Sequence, residues 1–337
     1  MTSTRRTALA VLLAASAFSL AGCESLMVMT GMRMRLDGVP LQAIAASMPG
    51  DGRLAPGGKA TLSVVATTTD GRTLASVGTG DGKVLLDSYA FAGSGVTVNT
   101  DGVVRLPDDP RLTEGTTPHV RLHAIGQETP FADLDIPIRY DVAFKAAFEG
   151  AAGWDGSAGS DGSAGSSGSS GSTDPASPSA GGNGGNGSAG ENGTDGGNGG
   201  PGPDVDVVVA LVPGAHPLLH VRASADGAKD RFFIVDPAGG SLALTARGGR
   251  GGSGGRGGRG GAGGAGGDGS PPGMSGVSGF DGLDGHDGWG GPAGRVTIEI
   301  DPAAAPYLDR LQVANVDGNG RAGPAPVVTI EPVPAPW

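Results

Sequence analysis

Across residues 59–148, apolar and polar positions alternate in short runs broken by turn residues. Leu62, Val64, Ala66 and Thr68 alternate with Ser63, Val65 and Thr67, and Asp70-Gly71 then predicts a hairpin into Arg72-Thr73-Leu74. Gly80-Asp81-Gly82 predicts a second turn before Val84-Leu85-Leu86. Val120, Leu122 and Ala124 alternate with Arg121 and His123. The longest run sets Leu134, Ile136, Ile138, Tyr140 and Val142 on one face and Asp135, Pro137, Arg139 and Asp141 on the other. Proline has no N–H to give a ladder, so this run predicts an edge strand. Strands at this spacing suffice for one sandwich core.

The period-two pattern returns twice. Val207, Val209, Leu211, Pro213, Ala215, Pro217 and Leu219 match Val296, Ile298, Ile300, Pro302, Ala304, Pro306 and Leu308, each pair 89 residues apart. Residues 205–247 and 295–337 therefore read as two small duplicated β-modules. Duplication of this kind points to architecture rather than catalysis.

Each module follows a stretch with neither helical nor strand period. Residues 153–204 and 248–294 hold 43 of the 67 glycines. Reading every third residue from Gly249 gives glycine to Gly294, except at Ser270. A three-residue period fits an extended left-handed helix with three residues per turn. Three arrangements suit it. A collagen-like trimer needs glycine at every third position, but proline is scarce in the remaining positions. An intramolecular bundle of polyglycine II-type rods is favoured by Gly-Gly-X triplets, which leave two bare lines on each rod for neighbours. Disorder is the third, because glycine loses the most conformational freedom on ordering. The breaks at 172–180 and 270–272 fall where a rod would reverse.

Charge and cysteine usage add the compartment. The formal net charge is −11 and Cys23 is the sole cysteine. Arg5 and Arg6 precede an apolar run from Ala8 to Leu20, too short to span a bilayer, and then Leu20-Ala21-Gly22-Cys23. This start resembles the signal peptide and lipobox of bacterial lipoproteins. The resemblance implies that residues 1–22 are removed, that Cys23 is lipidated, and that the membrane partner is held through that lipid. Glu24, where a retention signal would carry aspartate, points to the outer membrane. Residues 23–58 then form the lipidated tether. Separately, Pro56-Gly57-Gly58, the strand Leu62–Thr68, the Asp70-Gly71 turn, Val98–Val104 and His119–Ile125 together resemble bacterial immunoglobulin-like domains. That likeness implies an Ig-like β-sandwich over 59–148 acting as a spacer or adhesive module.

Candidate chemistry is sparse. Met27, Met29, Met32 and Met34 suit soft metals but more simply pack against the next domain. Arg250, Arg256 and Arg259 resemble RGG segments but lack interleaved aromatics, and an acidic chain does not suit nucleic acid. Asp281, Asp284 and Asp287 form a ridge whose members stand about 9 Å apart, too far to share one calcium along a single rod. His119 with His123, and His216 with His220, lack metal spacing on strands. Phe280, Leu283, His286 and Trp289 decorate the last triplets and are the candidate ligand surface. The expectation is a mainly β, non-enzymatic, lipid-anchored envelope protein with a structural or spacer role and no cofactor or metal. The alternatives are an adhesin for carbohydrate or another envelope polymer, self-association, and, last, an envelope hydrolase.

Overall fold

The computed structural model describes residues 27–76 and 83–337; the predicted lipobox with Cys23, and the predicted turn at Gly80-Asp81-Gly82, lie outside them. The described chain is mainly β and divides into two units, one ending at Val142 and joined by Trp337, the other running from Ala143 to Pro336.

The first unit contains β1 (Leu41–Ser47), β2 (Lys59–Thr61), β3 (Ser63–Thr68), β4 (Thr73–Ala75), β5 (Tyr89–Ser94), β6 (Thr97–Val98), β7 (Val103–Arg105), β8 (His119–Ala124) and β9 (Phe131–Asp135). They form three small antiparallel sheets ordered β1-β3-β4, β2-β7-β6 and β5-β8-β9. The alternation read at 62–68 is the burial pattern of β3, with Val64 and Ala66 wholly buried. The predicted hairpin joins β3 to β4, and Gly71 takes φ +85 in the turn, a conformation open to glycine. Leu36, Leu62, Leu106, Leu122 and Ile136 are fully buried in this core, with Tyr89 beside them.

Two expectations change here. The predicted tether contributes β1, because a register shift between Leu41 and Ala43 spaces the buried Leu41 and Ile44 three apart and hides the strand period. The long strand from Leu134 to Val142 stops at Asp135. Beyond it Ile136 donates to the Pro118 carbonyl, and Leu54 and Arg139 bond across a bridge at Ile138. Pro137 thus lies outside β9, which is an edge of its sheet without it.

The second unit has β10 (Ala143–Glu149), β11 (Val205–Val212), β12 (Leu218–Ala225), β13 (Arg231–Val235), β14 (Ser241–Arg247), β15 (Val296–Ile300), β16 (Leu311–Val316) and β17 (Val327–Ile330). One sheet is β10-β14-β16, all parallel. The other is β13-β12-β11-β15-β17, in which β11, β15 and β17 run parallel. Phe148, Leu242, Leu244 and Ala246 from the first sheet share one core with Val207, Val209, Val221, Ile298 and Ile300 from the second. The two β-modules thus interleave in common sheets. Their strands pair Val205 with Val296 and Val207 with Ile298, a separation two residues longer than that of the best sequence match. A shift of two keeps the same face buried.

Four extended rods connect these sheets: rod 1 (150–171), rod 2 (181–202), rod 3 (248–269) and rod 4 (273–294). β10 leads out through rod 1 and back through rod 2 into β11; β14 leads out through rod 3 and back through rod 4 into β15. β16 begins a third such excursion, which a short turn near Asp317–Arg321 closes at once before β17.

Candidate functional site

The rods hold one another through backbone hydrogen bonds that recur every third residue. Gly159 of rod 1 donates to Arg256 O of rod 3 at 2.8 Å; Glu191 of rod 2 donates to Ser160 O of rod 1 at 2.9 Å. Gly258 of rod 3 donates to Glu191 O at 2.8 Å, and Gly282 of rod 4 to Gly258 O at 2.7 Å. Gly193 of rod 2 donates to Leu283 O of rod 4 at 2.9 Å. Each pattern repeats along the rods. Rods 1 and 3 run one way and rods 2 and 4 the other. Rods 2 and 3 each bond three neighbours, rods 1 and 4 two, and no backbone bond joins rods 1 and 4 among the described residues. The cross-section is therefore a rhombus whose short diagonal joins rods 2 and 3.

Bare lines follow from that geometry. Rod 3 has two unbroken glycine lines, because it is enclosed on two sides. A Cβ on Gly258 would stand 1.9 Å from Ser160 O, and one on Gly257 would stand 2.1 Å from Gly282 O. Rods 1 and 4 need one line each. The second line of rod 2 is less crowded by rod 1, where a Cβ on Gly185 meets Ser166 Oγ at 2.9 Å and the Ser166 backbone N at 3.1 Å. Ser188, Glu191 and Thr194 occupy that line without obstruction, and all three are exposed.

At the four perimeter grooves, polar side chains take the place of a missing fifth rod. Asn183, Asn186, Asn192, Asp195 and Asn198 of rod 2 accept the backbone N–H groups of Met274, Val277, Leu283, His286 and Trp289 at 2.7–2.9 Å. Asp281, Asp284 and Asp287 accept from Gly260, Gly257 and Gly254 of rod 3. Asp155 and Asp161 accept from Ser253 and Arg259, and Thr194 and Ser188 hydroxyls from Ser157 and Ser163. The acidic ridge seen in sequence is thus bonded to backbone amides.

Phe280, Leu283, His286 and Trp289 fall on one line of rod 4, together with Met274 and Val277, which the sequence reading left out. Phe280 is 85% exposed and Trp289 73%. Triplet spacing already aligned all six. Arg250, Arg256 and Arg259 line rod 3 on the opposite side of the bundle, exposed. A buried Asn315, which no sequence motif marked, ties the third excursion to the rods: its Nδ2 donates to Gly294 O at 2.9 Å and to Pro324 O at 2.8 Å.

In the first unit, charged groups form surface ladders. Arg121 grips Asp133 through Nε at 2.8 Å and holds that carboxyl below its ordinary value, while His119 bridges Asp133 and Asp135 at 3.1 Å. Arg139, Asp141, Asp51 and Arg53 make a second network. Met29 and Met32 are exposed, while Met34 packs on the core. His220 is buried on β12. Among the described residues no three His, Cys, Asp or Glu side chains gather as a metal site, and no helix is long and apolar enough to cross a membrane.

No protein-family model matches this chain, and no curated protein matches it.

Proposed function

We propose that this chain is a non-enzymatic, lipid-anchored scaffold of a bacterial envelope, whose rods form a polyglycine II-type bundle and whose first unit is an Ig-like spacer. The observation that carries this reading is the hydrogen-bond ladder joining four rods of one chain, with its register set by parallel strands at their base. Such an arm needs almost no apolar core. At about 3.1 Å per residue it reaches roughly 65 Å, which suits a spacer or display element. The lipobox supports attachment at Cys23 and the outer membrane as the site.

Small-angle scattering on the full chain tests the bundle: a stiff rod-like feature is expected, and a featureless coil over 150–294 overturns it. Metabolic labelling with a fatty acid tests the anchor. Label that persists in Cys23→Ala rules out lipidation at that residue.

A further inference from the structure

The hydrogen-bond pattern divides the bundle surface into two sides of different chemistry. The rod 3 side carries Asp155 and Asp161, Arg256 and Arg259, and the row Asp281, Asp284 and Asp287. On the rod 2 side, the serines of rod 1, the asparagines of rod 2 and the apolar line of rod 4 run side by side, with Glu191 and Asp195 their only carboxylates.

Two indoles stand on this nearly neutral side. Trp154 lies over Gly197 of rod 2: a Cβ there would be 2.5 Å from the indole Cδ2, so only glycine lets the ring settle. Trp154 as a residue is still 74% exposed. Across rod 2, the Trp289 backbone N–H is held by Asn198 Oδ1 at 2.8 Å, and this side chain too projects outward. Rod 2 at Gly197 and Asn198 is thus bracketed by two aromatic faces. Above them Asn183, Asn186 and Asn192 spend Oδ1 on rod 4 backbone, which leaves each Nδ2 free to donate outward, at steps of about 9 Å and about 19 Å.

We propose that this side binds a neutral, extended polysaccharide, with Trp154 and Trp289 stacking on sugar rings and the asparagine amides and rod 1 serines bonding its hydroxyls. The proposal takes the scaffold reading further and rests on the bundle being formed. Sugar rings offer both an apolar C–H face for an indole and a rim of hydroxyls, and large exposed aromatic groups mark interaction surfaces. Sparse charge on this side, on a chain of net charge −11, gives an anionic polymer no electrostatic attraction.

Native affinity electrophoresis of the full-length chain in gels cast with hydroxyethyl cellulose, galactomannan or pullulan tests it. Retardation is expected in at least one gel, weakened about tenfold by Trp289→Ala or Trp154→Ala, a loss on the scale of one stacking contact. Arg256→Glu with Arg259→Glu leaves it unchanged. Both indoles are exposed, so circular dichroism and scattering should match the parent, which separates loss of binding from loss of the bundle. Unaltered mobility in all three gels overturns the proposal. So does retardation that survives the double tryptophan variant, or retardation confined to alginate or dextran sulfate.

Discussion

Leu283 donates its backbone N–H to the Oδ1 of Asn192 at 2.8 Å, and the two are 91 residues apart in sequence. The same separation links Met274 to Asn183, Trp289 to Asn198 and Arg295 to Asp204, and it continues into the paired strands at Val205 and Val296. One register therefore runs from the rod tips into the sheet.

A single residue inserted between Ser278 and Gly279 should break that register. Every outer triplet would turn a side chain toward rods 2 and 3, so cooperative unfolding should be lost in calorimetry. Deleting one matched triplet from each rod, 159–161, 190–192, 256–258 and 282–284, removes one level of the ladder. That variant should unfold cooperatively and scatter as an arm shorter by about 9 Å.

Alanine at two glycines of the same type should give opposite results. Gly258→Ala drives a methyl to 1.9 Å from a backbone oxygen that the ladder holds in place. A cost of about 1–3 kcal/mol, with the melting temperature several degrees lower, is expected. Gly185→Ala meets the Ser166 hydroxyl, which can rotate, and the Ser166 backbone N at 3.1 Å; Ser188, Glu191 and Thr194 already carry a Cβ on the same line, so the variant should melt within about a degree of the parent.

Removing a groove carboxylate separates hydrogen bonding from charge. Asp284→Ala leaves the Gly257 N–H to water and should cost about 0.5–1 kcal/mol in chemical denaturation. Asp284→Asn keeps an acceptor oxygen and should cost less. Equal losses in the two variants would assign the effect to charge.

The first unit should show a stability plateau across neutral pH with a fall at each end. Arg121 holds the Asp133 carboxyl below its ordinary 3.8, and hydrogen bonding from Arg139 does the same for Asp141. These depressed values stabilise the fold above 3.8, and that contribution disappears as pH falls through them. At the alkaline end, burial pushes the Tyr89 and Tyr140 phenols up to about 12. The unfolded chain ionises near pH 10, so this contribution is lost between about pH 10 and 12. Denaturation midpoints followed across pH check both limbs.

Much of the local order was legible in the residues themselves. Alternation at 62–68 gave β3, and Asp70-Gly71 its hairpin. Gly-Gly-X triplets in rod 3 and Gly-X-Y triplets in rods 1 and 4 already carried the number of neighbours each rod can admit, since a Cβ is what excludes a close backbone. The line through Phe280, Leu283, His286 and Trp289 followed from the period alone.

Only the tertiary structure decided which rods touch. Backbone hydrogen bonds between rods are indifferent to side-chain identity, so a glycine line permits a neighbour without naming it. β1 was hidden by its bulge, and β10 was drawn out of the first alternating region because its Phe148 and Ala146 complete a core with strands from both modules. Placing Trp154 beside Gly197, and Asn192 beside Leu283, required the fold to bring distant triplets to one level. Sequence period determined which face each side chain takes; the parallel sheets below determined the height at which the rods meet.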